Sequence, residues 1–339
     1  MSGIPVFGLV SDPGNPARLL IATGGGGYRS DDAGTTWEPA SGLDPITTQA
    51  NLASFIQTSS SIIRAPSDPN VLYLERQSGL FEHQGLWRSR DGGITWQAAR
   101  QELQGSDYLL NGIRTLTVDP ANPDQIYAGI DMQSKPSDQP PYSVRSGGIY
   151  RSSDGGDTWQ YWGNGLQNFA VEPQVQSIVF DPKDSSTLYA GAVQNVFKST
   201  DGGIHWRTAR RGLGTLGANI LAIDPSDSRR LFAGTRRGVY GSQDSGRSWL
   251  PLNRGLKAVG ATRPPEVFSL VIDPDDSKLL YAATSLGVFA SASGGRRWEP
   301  IRSTLGEQSP GQRLALTGGT PKRLYGYAPA GGGVMLYQR

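Results

Sequence analysis

NVFKSTDGGIHWRTARRGL, residues 195–213, carries the pattern Ser199-x-Asp201-x-Gly203-x-His205-Trp206. The pattern recurs along the chain. It fits Ser30, Asp32, Gly34, Thr36 and Trp37, and again Ser89, Asp91, Gly93, Thr95 and Trp96. It also fits Ser152, Asp154, Gly156, Thr158 and Trp159, and then Ser242, Asp244, Gly246, Ser248 and Trp249. A sixth copy has Ser293 where the others have aspartate, between Ser291 and Trp298. Self-similarity at a period of about 40–60 residues is the mark of a repeat architecture.

Each copy has a local logic. An apolar pair such as Val196-Phe197 or Val239-Tyr240 precedes it and reads as strand. The Ser and Asp side chains can accept hydrogen bonds from backbone N–H groups of a tight turn. The glycine supplies a positive φ that a Cβ would oppose. The Trp restarts a strand and brings a large apolar face. The motif therefore reads as a hairpin with its own staple. Asp32, Asp91, Asp154, Asp201 and Asp244 are read as structural rather than catalytic.

A longer frame surrounds each copy. Ser177-Ile-Val-Phe-Asp-Pro182, Thr187-Leu-Tyr-Ala-Gly191, the box and Arg211-Gly-Leu213 read as four strands in succession. Asp-Pro is a strand stop, because proline has no N–H for a ladder and aspartate favours a turn. The same frame places units at about 7–43, 61–103, 113–166, 177–213, 219–256, 268–305 and 313–339. The expectation is one all-β domain, a seven-bladed propeller of four-stranded antiparallel blades, with the last unit incomplete because it has no box. Either residues 2–5 complete that unit or it has three strands, and an open six-blade ring or a stack is the alternative.

Composition narrows the function classes. The chain has 339 residues and a net charge of +2, and its arginines are spread over the repeats, so no nucleic-acid footprint is read. There is no cysteine, which removes disulfides, zinc-thiolate sites and thiol catalysis. No stretch approaches a membrane span. Neither a basic n-region nor an apolar h-region opens the chain, so the compartment stays open, extracytoplasmic if a leader was removed. No cofactor is expected, and a monomer is.

The box and the Asp-Pro…Leu-Tyr-Ala-Gly frame resemble the Asp-box, or BNR-repeat, propeller superfamily over about residues 7–339. That superfamily includes sialidases, xyloglucan-active glycosidases, sortilin-type receptor domains and photosystem II assembly-factor propellers. The resemblance implies the fold and leaves the function between enzymes and binders. Sialidases carry an Arg-Ile-Pro segment before the first box, whereas this chain has Gly3-Ile4-Pro5. Xyloglucan-active relatives use a cleft between two propellers, and this chain has repeats for one. The single-propeller assembly factors are the nearest in organisation.

In such a ring the loops opposite the boxes are where function is expected. The long ones run over 75–85, 130–147 and 44–59, on units 1–3. They offer Glu75, Glu82, Asp131 and Asp138 as carboxylate candidates. Arg76, Phe81, His83, Tyr142 and Arg145 are binding candidates there, with Arg114 on a first strand and Arg236 and Arg237 in a short turn of unit 5. His83 with Glu75 and Glu82 has no recognised ligand spacing, so no metal site is read. The leading expectation is a non-catalytic propeller that holds a protein partner or ligand above units 2 and 3. The alternative is a glycoside hydrolase or carbohydrate-binding propeller, since glycoside hydrolysis needs two carboxyls at a set separation.

Overall fold

The computed structural model describes residues 6–23, 26–42, 61–76, 85–104, 112–130, 147–166, 173–257, 262–301, 313–317, 322–327 and 334–337. These residues form strands and turns, with no α-helix among them, so no described helix is long and apolar enough to cross a membrane. Blade 1 is β1 (Val6–Ser11), β2 (Leu19–Thr23), β3 (Gly26–Ser30) and β4 (Glu38–Pro39), hydrogen-bonded in that order and antiparallel throughout. Five further units repeat this order, and the sheet of blade 3 gains a fifth, parallel strand, Glu102–Leu103, from the segment that follows blade 2.

Among the described residues six units form four-stranded blades, not the seven expected, and the seventh shows three strands, Arg313–Leu316, Leu324–Tyr327 and Val334–Tyr337, with residues 2–5 outside the described residues. The reason is local. The box hairpin is what turns a third strand into a fourth, and this unit has no box. The three-stranded sheet still sits between its neighbours. Leu314 N–H donates to Ser269 Oγ of blade 6 at 3.1 Å, and Tyr325 packs with Val6, Leu9, Leu19 and Ile21 of blade 1.

The cores lie between blades rather than within them. Leu20 and Ala22 of blade 1 pack with Ile62, Leu72, Leu74 and Trp96 of blade 2. Tyr127 and Ile149 of blade 3 pack with Val175, Phe197 and Trp206 of blade 4. Second strands such as Leu19–Thr23, Leu231–Thr235 and Leu280–Thr284 are buried at every residue. A strand covered on both faces has no solvent side, so its sequence is a continuous run rather than an alternation.

Each box closes as its residues dictate. In blade 3, Ser152 Oγ donates to Asp154 Oδ1 at 2.7 Å and accepts the Gly156 N–H at 2.9 Å. Asp154 accepts the Thr158 N–H at 2.9 Å and its hydroxyl at 2.6 Å. Gly156 has φ +96°, and Trp159 is fully buried. In the sixth box Ser293 Oγ accepts the Arg297 N–H at 2.9 Å, so a hydroxyl keeps the turn without the charge.

Two devices tie one blade to the next. The first is an x-Gly segment that follows the outer strand. Trp206 N–H donates to Asn164 O at 2.8 Å, Trp249 N–H to Arg211 O at 2.8 Å and Trp298 N–H to Arg254 O at 2.9 Å. The second is the tyrosine of the Leu-Tyr-Ala-Gly strand, which reaches the following box. Tyr127 donates to Gly202 O at 2.9 Å and Tyr189 to Ser245 O at 3.2 Å. Tyr325 of the three-stranded sheet makes the same bond to Ala33 O of blade 1, at 3.2 Å.

The box carboxylates make the ring acid-sensitive. Hydrogen bonds from the Thr36 side chain and backbone hold Asp32 down at about 2. Burial would raise Asp244, but bonds from Ser248 and Ser242 overcome it and hold it at about 2. A carboxylate whose pKa is depressed on folding adds stability that is complete above its unfolded value, about 3.9, and that is lost as pH falls through its folded value. The melting temperature is expected to fall between about pH 4 and pH 2. Asp244→Ser, which copies the sixth box, should melt below the wild type at pH 7, with the gap closing by about pH 2. Melting curves across that range check this, and a gap that stays constant with pH would refute it.

Candidate functional site on the loop face

The strand registers fix which loops share a face. In blade 1 Ser11, Leu19 and Ser30 lie at one end, next to the Asp12-Pro13 turn and the box. Val6, Thr23 and Gly26 lie at the other, where first strands begin and the second-to-third-strand turns sit. Of the described candidates, Glu75, Arg76, Arg114, Arg236 and Arg237 lie at the ends of strands or in turns toward this second, loop face.

Glu75 is the fourth residue of β6 (Leu72–Arg76) and pairs across to Ser61 and Leu86. It is 3% exposed. Its side chain is therefore buried at the loop-face end of the strand. Arg76 ends the same strand opposite Gly85. Arg114 is exposed and lies in β10 (Ile113–Asp119), where the register slips between Ile113 and Thr115. A bulge there re-aims the side chain at the start of the innermost strand. Glu82, Asp131, Asp138, Phe81, His83, Tyr142 and Arg145 lie outside the described residues.

Arg236 and Arg237 are both exposed in a two-residue turn. Thr235 sets that turn by donating to Gly238 O at 2.9 Å and accepting the Arg237 N–H at 3.0 Å. The pair is on blade 5, so blade 4 separates it from blade 3 and it does not join a cluster over blades 2 and 3. It has a different neighbourhood. Asn219 Nδ2 donates to Glu266 Oε1 at 3.0 Å, and Arg236 Nε lies 3.9 Å from the same oxygen. Asn219 and Glu266 each stand at the entry to a first strand, β18 (Ile220–Ile223) and β22 (Val267–Ile272). Sequence reasoning missed this polar link. The signal was available, because the repeat frame places both residues one position before adjacent inner strands.

No group of three or more acidic or histidine side chains able to hold a metal occurs among the described residues. What the described loop face offers chemically is a set of arginines with one held carboxylate, and Glu75 withdrawn beneath it.

The BNR/Asp-box repeat family matches residues 87–98. The xyloglucanase Xgh74A of Acetivibrio thermocellus is 29% identical over 171 residues, which are 46% of this chain and 19% of that protein. A probable oligoxyloglucan-reducing end-specific xyloglucanase of Neosartorya fischeri is 27% identical over 60% of this chain and 23% of its own length. The chain thus spans less than a quarter of these curated relatives. Among solved structures, an ancestral GH74 enzyme superposes with TM-score 0.66 at 19% identity over 97% of this chain and 44% of that one. YCF48 from Cyanidioschyzon merolae superposes with TM-score 0.63 at 14% identity, over 99% of this chain and 96% of that one. YCF48 bound to D1 peptide gives 0.61 at 13%, over 100% and 94%. At such identities the structural likeness shows the fold alone.

Proposed function

Because this chain is a β-propeller built on BNR/Asp-box repeats, we propose that it is a single-domain, non-catalytic binding or assembly propeller. Its partner is a protein segment or ligand held on the loop face above blades 2 and 3. The observation that carries this reading is the burial of Glu75, 3% exposed within its strand. A general acid or nucleophile has to reach the glycosidic bond, and a side chain this buried presents no open carboxyl to it. The full-length likeness to YCF48, including a structure bound to a peptide, supports a protein partner. Arg114, exposed at the start of its strand, is the described cation that would meet it.

A second reading has its own support. The curated relatives are xyloglucanases, so a glycan remains the alternative occupant of the same face. The experiment is release of reducing ends from xyloglucan by the whole chain. No release above background is expected. Hydrolysis that disappears in a Glu82→Gln, Asp131→Asn, Asp138→Asn triple variant would overturn the binding reading.

A further inference from the structure

The third strand of each blade carries one residue just before the box serine that differs along the ring. It is Arg29, Arg88, Arg151 and Lys198 in blades 1–4, then Gly241 in blade 5 and Ala290 in blade 6. In blades 2 and 4 that cation reaches the next blade, whereas Arg29 pairs with Asp31 and Glu38 of its own. Arg88 donates to Asp154 O at 3.0 Å and Gly155 O at 3.2 Å, both in the next blade's box. Lys198 reaches Ser245 O at 3.3 Å and lies over the Tyr189 ring. Arg151 lies over Trp162. At blade 5 that position is Gly241; Arg230, just before the neighbouring strand, reaches across to Ser277 Oγ of blade 6 at 3.1 Å, and a groove of about 750 Å³ opens beside it, between blades 5 and 6. A smaller cavity, about 360 Å³, opens beside Ala290. Both openings fall where the cation is missing.

The larger groove has a distinct chemistry. Arg229, Arg230, Lys278 and Arg296 line it with the acids Asp227 and Asp244. Both acids are engaged. Asp227 pairs with Arg229 at 2.9 Å, and Asp244 accepts Ser242 and Ser248 within its box. Arg230 is engaged as well, 2.6 Å from the buried Asp224. Lys278 and Arg296 are exposed and have no side-chain ion-pair partner among the described residues. Leu252 forms an apolar wall, and Leu250 stands beside it 70% exposed. The groove thus sets an apolar wall beside two cations whose charge is unopposed.

We propose that this groove, on the box side of blades 5 and 6 and separate from the loop face, docks an extended acidic segment of a partner protein. An apolar side chain of the segment rests on Leu250 and Leu252, and its carboxylates pair with Lys278 and Arg296. Charge complementarity selects the occupant, because the free charge of the groove is positive while its floor is apolar.

The test uses the intact chain and a fluorescein-labelled nonapeptide that alternates glutamate and leucine, read by anisotropy. Two control peptides carry lysine for glutamate and serine for leucine. The acidic, leucine-bearing peptide is expected to bind, and more weakly as salt rises. Both controls should bind at least about tenfold more weakly. Lys278→Glu with Arg296→Glu should weaken binding about tenfold or more. Gly241→Arg should also weaken it, although it adds a positive charge, because it fills the space that Arg88 and Lys198 cover beside blades 2 and 4. A Cβ at Gly241 meets the end of the Leu252 side chain at 2.5 Å, a group that can rotate away. The charge pair is wholly exposed and provides the arm that does not depend on repacking. No binding, binding unchanged by the double charge variant, or equal binding of the serine peptide would each overturn the proposal.

Discussion

Gly255→Ala is expected to destabilise the ring by about 3 kcal/mol or more, from backbone strain and a lost interblade hydrogen bond. Gly255 has φ +86°, and a Cβ there would lie 2.1 Å from the carbonyl oxygen of Trp298. The oxygen is backbone and a Cβ is fixed by its own backbone, so no side-chain rotation can relieve the contact. The segment must back away, and the bond from Trp298 N–H to Arg254 O, 2.9 Å, goes with it. Gly202→Ala is the control. Gly202 also has positive φ, +69°, but a Cβ there meets nothing within 4 Å. It should cost about 1–2 kcal/mol, the backbone term alone. Chemical denaturation of the two variants separates the effects. Equal losses would show that the close approach between blades carries no energy.

Trp159→Ala should be the most damaging single change in a box, at about 3–5 kcal/mol. Trp159 is 0% exposed and packs with Leu86, Ala99 and Leu103 of blade 2 and Ile126 of its own blade. Its indole N–H donates to Gly156 O at 3.0 Å. Truncation therefore leaves a cavity between two blades and a box carbonyl without its donor. Trp159→Phe refills most of the volume and should recover more than half of the loss. Thermal melts of both variants check this, and an alanine variant that melts with the wild type would contradict the interblade role. The indole partner differs along the ring. Trp37, Trp96 and Trp159 bond within their own boxes, whereas Trp206, Trp249 and Trp298 reach Trp162 O, Ala209 O and Leu252 O of the preceding blade.

The fold was legible because its local chemistry repeats. The box residues Ser, Asp, Gly and Trp each have one physical task, and the hydrogen bonds around Asp32, Asp91, Asp154, Asp201 and Asp244 perform the turn stapling expected of them. The buried Asp-Pro aspartates likewise cap their turns, as where Asp224 accepts the Ser226 N–H at 2.8 Å. What the sequence did not disclose depends on neighbours far away in the chain. The three-stranded seventh sheet followed from a missing box, yet its docking against blade 1 joins residues some 300 positions apart. The withdrawal of Glu75 is a matter of side-chain burial at a strand end, which looks the same in sequence as an exposed loop carboxylate. The groove beside Gly241 became visible only once the cations at the same register, Arg88 and Lys198, were placed against the next blade.

The most direct test of the functional account is crystallographic measurement of the separations among the carboxyl groups of Glu75, Glu82, Asp131 and Asp138, with the burial of each. A binding propeller predicts that no two of them share a cleft at catalytic spacing, with Glu75 closed into blade 2. A partly exposed pair about 5–10 Å apart on the loop face, the spacing that glycoside hydrolysis requires, would contradict the account and assign the face to an enzyme.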